Sequence, residues 1–374
     1  MIFYRTLWIF ALISLLSMIS ACGNSDPILI GFSGQLTGKV SDIGVFGRNG
    51  CLLAIEVINA SGGIDGRPLK LISKDDLNTP EGAIKADKEL VDAGVVAIVG
   101  HMTSSQTLAV MPLINESSTV LISPTTSTPQ LSGMMDSFFR VMVENTVHGM
   151  ELADYTRSAL DINSVVTIAN IDNKSYSLTF TKSFSDKFIS IGGNILESLT
   201  YSSRDDSGWD PMVDAIINLN PDAVLLACPA EDAIPLVQRI RSAGLSTRII
   251  SGAWAYTDRL LEWGGQSVEG MIFVINYAAD NPNPAFVKFR ERYKNRFGAP
   301  PNFAATFGYE AVQALAEGLR KTDGNAKGLH EAMAPSDLIK GTIGDFKLDK
   351  FGDVKRNVFI GTVQEGVFRT IEMR

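Results

Sequence analysis

From residue 27 onward, short unbroken runs of Val, Ile and Leu alternate with longer stretches, each about 12–18 residues, whose apolar positions recur at helical spacing. The runs at 28–32, 69–73, 95–100, 120–123, 165–169, 222–228, 248–251 and 271–274 read as strands, because a continuous apolar run is what a strand buried on both faces looks like. The amphipathic stretches near 44–60, 80–93, 107–116, 148–158, 176–191, 232–243, 284–297 and 303–319 read as helices. Thr79-Pro80 puts a capping hydroxyl before a proline at the first helical position, and Gly62-Gly63 stops the first helix. Regular alternation of this kind predicts an α/β fold with parallel sheets. Eight units exceed what one doubly wound sheet usually holds, so two Rossmann-like lobes are expected. No Pro/Gly/Ser-rich linker divides the chain, so ordered segments must carry it between lobes more than once. Ligands of open α/β sheets bind beyond the carboxyl ends of the strands. The loops 33–38, 101–106, 124–128, 172–176, 229–231 and 252–256 lie there, and they converge on one cleft if the lobes face each other.

The N-terminus carries a different pattern. Residues 1–21 hold Arg5, then an apolar run over 7–16, then small residues ending at Ala21, which is the layout of a secretory signal. The run is short for a membrane span; an uncleaved anchor helix is the alternative. Ile19-Ser20-Ala21-Cys22 resembles the bacterial lipobox, in which the cysteine is lipidated and becomes the mature N-terminus. Residues 22–26 would then form a short polar tether, with Cys22 holding the protein on a membrane surface, since two or more acyl chains anchor stably.

Composition narrows the function classes. The chain has 374 residues, 45% of them apolar and 20% charged, a globular balance. A net charge of −8 with no basic run argues against a nucleic-acid partner. Three cysteines make no disulfide scaffold, and the three histidines lack metal-ligand spacing, so neither a metal nor another cofactor is implied. Gly31-Phe32-Ser33-Gly34 is not a nucleophile elbow, residues 44–50 are not a dinucleotide fingerprint, and there is no Walker A sequence. His101 follows a strand and could serve as a base, but no motif places an acid or nucleophile beside it, and it is read as structural. Asp75-Asp76 is read as a solvated turn. Catalysis is the weak hypothesis.

Several ordered motifs do carry a likeness. Gly31-Phe32-Ser33-Gly34-Gln35-Leu36-Thr37-Gly38, then Ile58-Asn59-Ala60-Ser61-Gly62-Gly63-Ile64-Asp65-Gly66 with Asp75-Asp76 one strand later, resemble the opening of the periplasmic leucine/isoleucine/valine-binding family of ABC importers. Val99-Gly100-His101 with Ser104-Ser105, then Ile122-Ser123-Pro124-Thr125-Thr126-Ser127-Thr128-Pro129, continue it in order, and Tyr309-Glu310-Ala311 lies in a counterpart of the family's last long helix. The resemblance spans 27–374. It implies a type I periplasmic binding protein, with an N-terminal lobe of 27–144 and 274–346 and a C-terminal lobe of 145–273 and 347–374. Three crossovers, near 143–145, 273–276 and 345–349, would form the hinge.

The resemblance also implies a site. Ser104 and Ser105 at a helix start, with Thr125 and Ser127 beyond the fourth strand, would hold a ligand carboxylate; helix and turn capping is the alternative reading of these hydroxyls. Tyr176 would close the pocket from the second lobe. Trp254 lies in the loop that gives amino-acid binders their ammonium partner, or else packs between the lobes. Ala253 stands at the acidic position of that loop, while Ile43 and Pro229 stand where branched-chain binders carry tyrosines. Glu231 could replace the missing acid or be a solvated helix-start residue, and Asn276 in the second crossover is a further candidate. The family's first-lobe disulfide is absent, since its positions fall at Thr103 and near Leu77, so Cys51 and Cys228 should stay free and buried. The implied protein is extracytoplasmic and delivers a small ligand, an amino acid first and a small amide or aromatic or apolar carboxylate second, to an ABC permease with its ATPase. A sensor feeding a chemoreceptor or kinase is the alternative on the same fold.

Overall fold

A computed structural model describes residues 26–205 and 208–374; the signal segment and Cys22 lie outside the described residues. The first sheet takes β1 (Ile28–Gly34), β2 (Leu69–Asp75), β3 (Ala97–Val99), β4 (Val120–Ser123) and β5 (Phe138–Arg140) in the order β2-β1-β3-β4-β5, all parallel. Between them run α1 (Asp42–Ala60), α2 (Pro80–Asp92) and α3 (Ser104–Ser117). The chain then crosses over and opens α4 (Asn145–Ser158). The second sheet holds β6 (Ser164–Asn170), β7 (Asn194–Tyr201), β8 (Ala223–Ala227), β9 (Arg248–Gly252) and β10 (Ile272–Ile275), mutually parallel. An antiparallel hairpin of β11 (Phe359–Gln364) and β12 (Val367–Met373) completes it, giving β12-β11-β10-β9-β8-β6-β7. Both lobes are two-sided α/β layers, as the alternating pattern predicts.

Local chemistry accounts for the element ends. The Thr79 hydroxyl accepts from the Gly82 N–H at 3.0 Å, capping α2 as expected. The β11–β12 loop is only Glu365-Gly366, both at positive φ, the conformation a two-residue hairpin needs. Both loop N–H groups donate to the Glu269 carboxylate, at 2.6 and 3.2 Å.

After β10 the chain returns to the first lobe as α9 (Pro284–Phe297), α10 (Phe303–Lys321) and α11 (Leu329–Met333), with α5 (Lys174–Ser190), α6 (Asp210–Leu219), α7 (Ala230–Ser242) and α8 (Asp258–Gly264) left on the second. Helices α1 and α10 meet backbone to backbone. A Cβ on Gly50 would stand 1.9 Å from the Ala305 carbonyl oxygen, and one on Gly308 would stand 2.4 Å from that of Gly47.

One lobe boundary moves by two residues within the expected second crossover, and the third crossover shifts. Val274 and Ile275, expected in the first lobe, pair with Ile360 and Phe359 in the second sheet, so the return begins after Ile275. The third crossing lies near 356–358 rather than 345–349. Arg140, buried at the end of β5, takes Asp353 as its counter-ion at 2.7 Å and donates its N–H to the Gly352 carbonyl, while Arg356 reaches Glu310 of α10 at 2.6 Å. These buried charges hold the chain on the first lobe until Val358, which exchanges both backbone hydrogen bonds with Arg374.

Candidate functional site

Between the lobes, Ile43, Met102, Thr103, Ser104, Thr125, Ser127, Met142, Phe303, His148, Asn173, Tyr176, Ala253 and Trp254 enclose a cavity of about 30 Å³, room for roughly two waters. One wall is the start of α3 and the loop after β4. The Ser104 hydroxyl accepts from the Ser127 N–H at 3.3 Å, which leaves its own hydrogen to donate. Thr125 donates to the Met102 carbonyl at 2.7 Å, and the Ser123 hydroxyl accepts from the Thr126 N–H at 2.9 Å. Hydroxyls and the positive end of a 14-residue helix therefore share this wall.

The opposite wall is aromatic. Tyr176 and Trp254 meet edge to face with centroids 5.7 Å apart, and Phe180 stacks behind Tyr176. Gly252 permits this arrangement, because a Cβ there would lie 2.3 Å from the Tyr176 hydroxyl oxygen. Burial pushes the Tyr176 phenol up, so it stays neutral.

Six expected site residues, Ser104, Thr125, Ser127, Tyr176, Trp254 and Ile43, line this cavity. Four others do not. Ser105 bridges the lobes instead: its N–H donates to Asn173 Oδ1 at 3.1 Å and its hydroxyl accepts from the Ser175 N–H at 3.3 Å. Pro229 lines a neighbouring cavity on the far side of Trp254. Glu231 is neither solvated nor in the cavity; it is buried beside Arg259 at 3.2 Å, with burial pushing its carboxyl up to about 7. Asn276 sits behind the cavity, donating to the Asn357 carbonyl at 3.0 Å. No acidic side chain is among the lining residues.

The lobes touch around this cavity. Lys39 of the first lobe reaches Asp232 of the second at 2.7 Å, and Arg204 donates to the Asn78 carbonyl at 3.1 Å. Asp232 is fully buried and also accepts from Tyr201 at 2.9 Å, Asn170 at 3.2 Å and Ser203.

Two buried histidines flank the site. His101 lies behind the hydroxyl wall, with Nδ1 2.9 Å from Asp76 and Nε2 3.1 Å from Asp87. Asp76 is thus a buried counter-ion and not part of a solvated turn, while the Asp75 carboxylate accepts from the Leu36 and Leu77 N–H groups and the Thr37 hydroxyl. Burial opposes charge on the imidazole, but the two carboxylates prevail and raise it to about 10. The His101 carbonyl accepts from Ser123 at 2.7 Å and Thr126 at 3.3 Å, tying this charged cluster to the hydroxyl loop. His148 is the opposite case: burial pushes it down to about 4, with Asn276 opposing. Sequence reasoning missed His148, Asn173, Met142 and Phe303, because a single residue on an amphipathic helix or hinge segment carries no motif. Cys51 and Cys228 are free and buried.

A profile described as periplasmic binding protein matches residues 27–367. An amino acid binding protein of Pseudomonas aeruginosa is 26% identical over 340 residues, covering 89% of each chain. Among solved structures, a leucine-binding protein of Thermotoga maritima superimposes with a TM-score of 0.86 at 23% identity, covering 92% of this chain and 98% of that one. An ABC transporter solute-binding protein of R. palustris in complex with benzoate gives 0.85 at 20% identity, covering 93% and 96%.

Proposed function

The chain belongs to the periplasmic binding protein family, and from that premise we propose that it is the ligand-capturing receptor of an ABC importer, taking a small carboxylate with an apolar or aromatic body in preference to a free α-amino acid. Its relatives are solute-binding proteins, and the chain is one of them, not an enzyme. The observation that carries the ligand reading is the cavity lining. Ser104, Thr125 and Ser127 at a helix start suit a carboxylate, the other wall is aromatic, and no acid is present to partner an ammonium. Burying an ammonium without a carboxylate is unfavourable, and Glu231 is already engaged with Arg259. The benzoate complex of the R. palustris protein accords with this reading, and the Pseudomonas relative's name favours an amino acid as the second one.

Contacts of Ser105 with Asn173, Lys39 with Asp232 and Arg204 with Asn78 join the lobes around the cavity, so capture proceeds through a more open state. The ligand favours closure only by its better contacts in the closed state. Calorimetry with benzoate, its hydroxylated derivatives and the branched-chain amino acids decides the class. The Ser104→Ala/Ser127→Ala double variant should lose at least about tenfold in affinity for whichever compound binds, since hydrogen bonds to a charged group contribute about 1.5–3 kcal/mol each. Full affinity in that variant would reduce these hydroxyls to helix and turn capping.

The family places the protein outside the cytoplasm. We infer in addition that it is anchored through Cys22, on the strength of the signal and lipobox layout. Mass spectrometry of membrane-extracted protein should find an acylated peptide beginning at Cys22, and an intact peptide spanning Ala21-Cys22 would refute the anchor.

A further inference from the structure

A second cavity, of about 270 Å³, lies outside the cleft cavity and shares no lining residue with it. Its walls come from α1, α9, α10 and residues 340–342. Part of the lining is apolar: Leu53, with Phe289 and Tyr309, whose rings meet with centroids 4.9 Å apart. The charge around it is positive. Lys288, Arg292 and Lys340 line it and no carboxylate does, in a chain whose net charge is −8. Lys340 is paired with Asp345 at 2.5 Å, but Lys288 and Arg292 make no ion pair among the described residues. These two lie one turn apart on α9, a helix with five Lys and Arg and a single Glu, so their charges repel. The Glu310 carboxylate, next along α10 from Tyr309, is already committed: it accepts from the Thr342 N–H and pairs with Arg356.

Tyr309 adds a directed donor. The residue is 9% exposed, yet no group among the described residues hydrogen-bonds its hydroxyl. Burial pushes the phenol up, with Arg292 opposing, so it stays protonated. A tyrosine hydroxyl this enclosed normally has a partner, and the cavity it lines is where one would arrive.

We propose that this cavity is a second ligand site, for a small aromatic or apolar anion. Lys288, Arg292 and the Tyr309 hydroxyl hold the anionic group, while Phe289 and Leu53 cover the body. The site is independent of the ligand class assigned to the cleft. An anion between Lys288 and Arg292 relieves their repulsion, and its hydrogen bonds to them are charge-assisted. A free amino acid would bring its ammonium towards two like charges, so the site favours compounds whose only charge is negative.

The probe is phenyl phosphate, titrated calorimetrically with benzoate and inorganic phosphate alongside. Each compound is run on the wild type, on Lys288→Gln/Arg292→Gln and on Ser104→Ala/Ser127→Ala. The charge variant should bind phenyl phosphate at least about tenfold more weakly than the wild type, whereas the serine variant should bind it within about twofold. Tyr309→Phe should cost about threefold. Inorganic phosphate should bind at least about threefold more weakly than phenyl phosphate, since it lays nothing on the aromatic lining. Lys288 and Arg292 are exposed, so the ligand-free charge variant should melt where the wild type does. Two binding events, each removed by one of the double variants, would support the proposal with both sites filled. Binding lost in the serine variant and kept in the charge variant belongs to the cleft and overturns the proposal. So does the absence of saturable binding by either organic anion, or inorganic phosphate bound as tightly as phenyl phosphate. A serine variant that changes nothing for any compound counts against the cleft reading alone.

Discussion

The two buried histidines that flank the cleft experience the same burial and end in opposite charge states. His101, in the first lobe, lies between Asp76 and Asp87 and is held protonated, raised to about 10. His148, in the second, lines the cavity with the neutral Asn276 as its hydrogen-bond partner and is pushed down to about 4. Burial works against the imidazolium in both. The comparison teaches that depth alone does not set charge; the nearest ionised partners do. One ring is held between two carboxylates, while the other has a neutral amide as its partner.

The largest expected effect breaks this pairing on the His101 side. His101→Leu leaves two carboxylates buried without their cation and should lower unfolding stability by about 3–5 kcal/mol in urea titrations. His148→Leu removes only a hydrogen bond to a neutral amide, and should cost no more than about 1–2 kcal/mol. Equal losses in the two variants would erase the distinction.

The next effect is on pH dependence and sharpens the contrast. The folded value for His101 lies above the ordinary 6.5, so below 6.5 its contribution is fully present, and it is lost as pH rises through about 10. For His148 the folded value lies below 6.5. Between 6.5 and about 4 the unfolded chain binds a proton that the folded one refuses, so stability falls as pH falls across that window. Chemical denaturation across pH should therefore decline on both sides of about 6.5. His101→Leu should flatten the alkaline limb and His148→Leu should lessen the acid one.

How much of this is legible in the sequence follows from what each element buries. Val120–Ser123 is a strand at its expected limits because both of its faces are covered and every residue is apolar or small. Asn194–Tyr201 gave no such run: as an edge strand with β6 on one side only, it keeps polar residues at exposed positions. Phe138–Arg140 is too short to stand out, and the β11–β12 hairpin is marked only by Glu365-Gly366. On the site, Ser104, Thr125 and Ser127 were legible because they sit at the ends of strongly patterned strands and inside family motifs. The third crossover and the buried role of Asp76 were not. Each depends on a long-range charge partner, Arg140 with Asp353 and His101 with Asp76, which lie far apart in the chain.

The close contact of α1 with α10 has a mechanical consequence. Where the Gly47 and Gly308 segments and the Gly50 and Ala305 segments lie main chain against main chain, no long side chain intervenes to act as a compliant spacer. Stress applied to one helix passes directly into the other, and the first lobe behaves as a stiff plate. Elastic strain during opening then concentrates in the three connecting segments, as it does in a door whose panels are far more rigid than its hinges. A bulkier residue at Gly50 would wedge the plate itself, and the motion between lobes would lose its single well-defined axis.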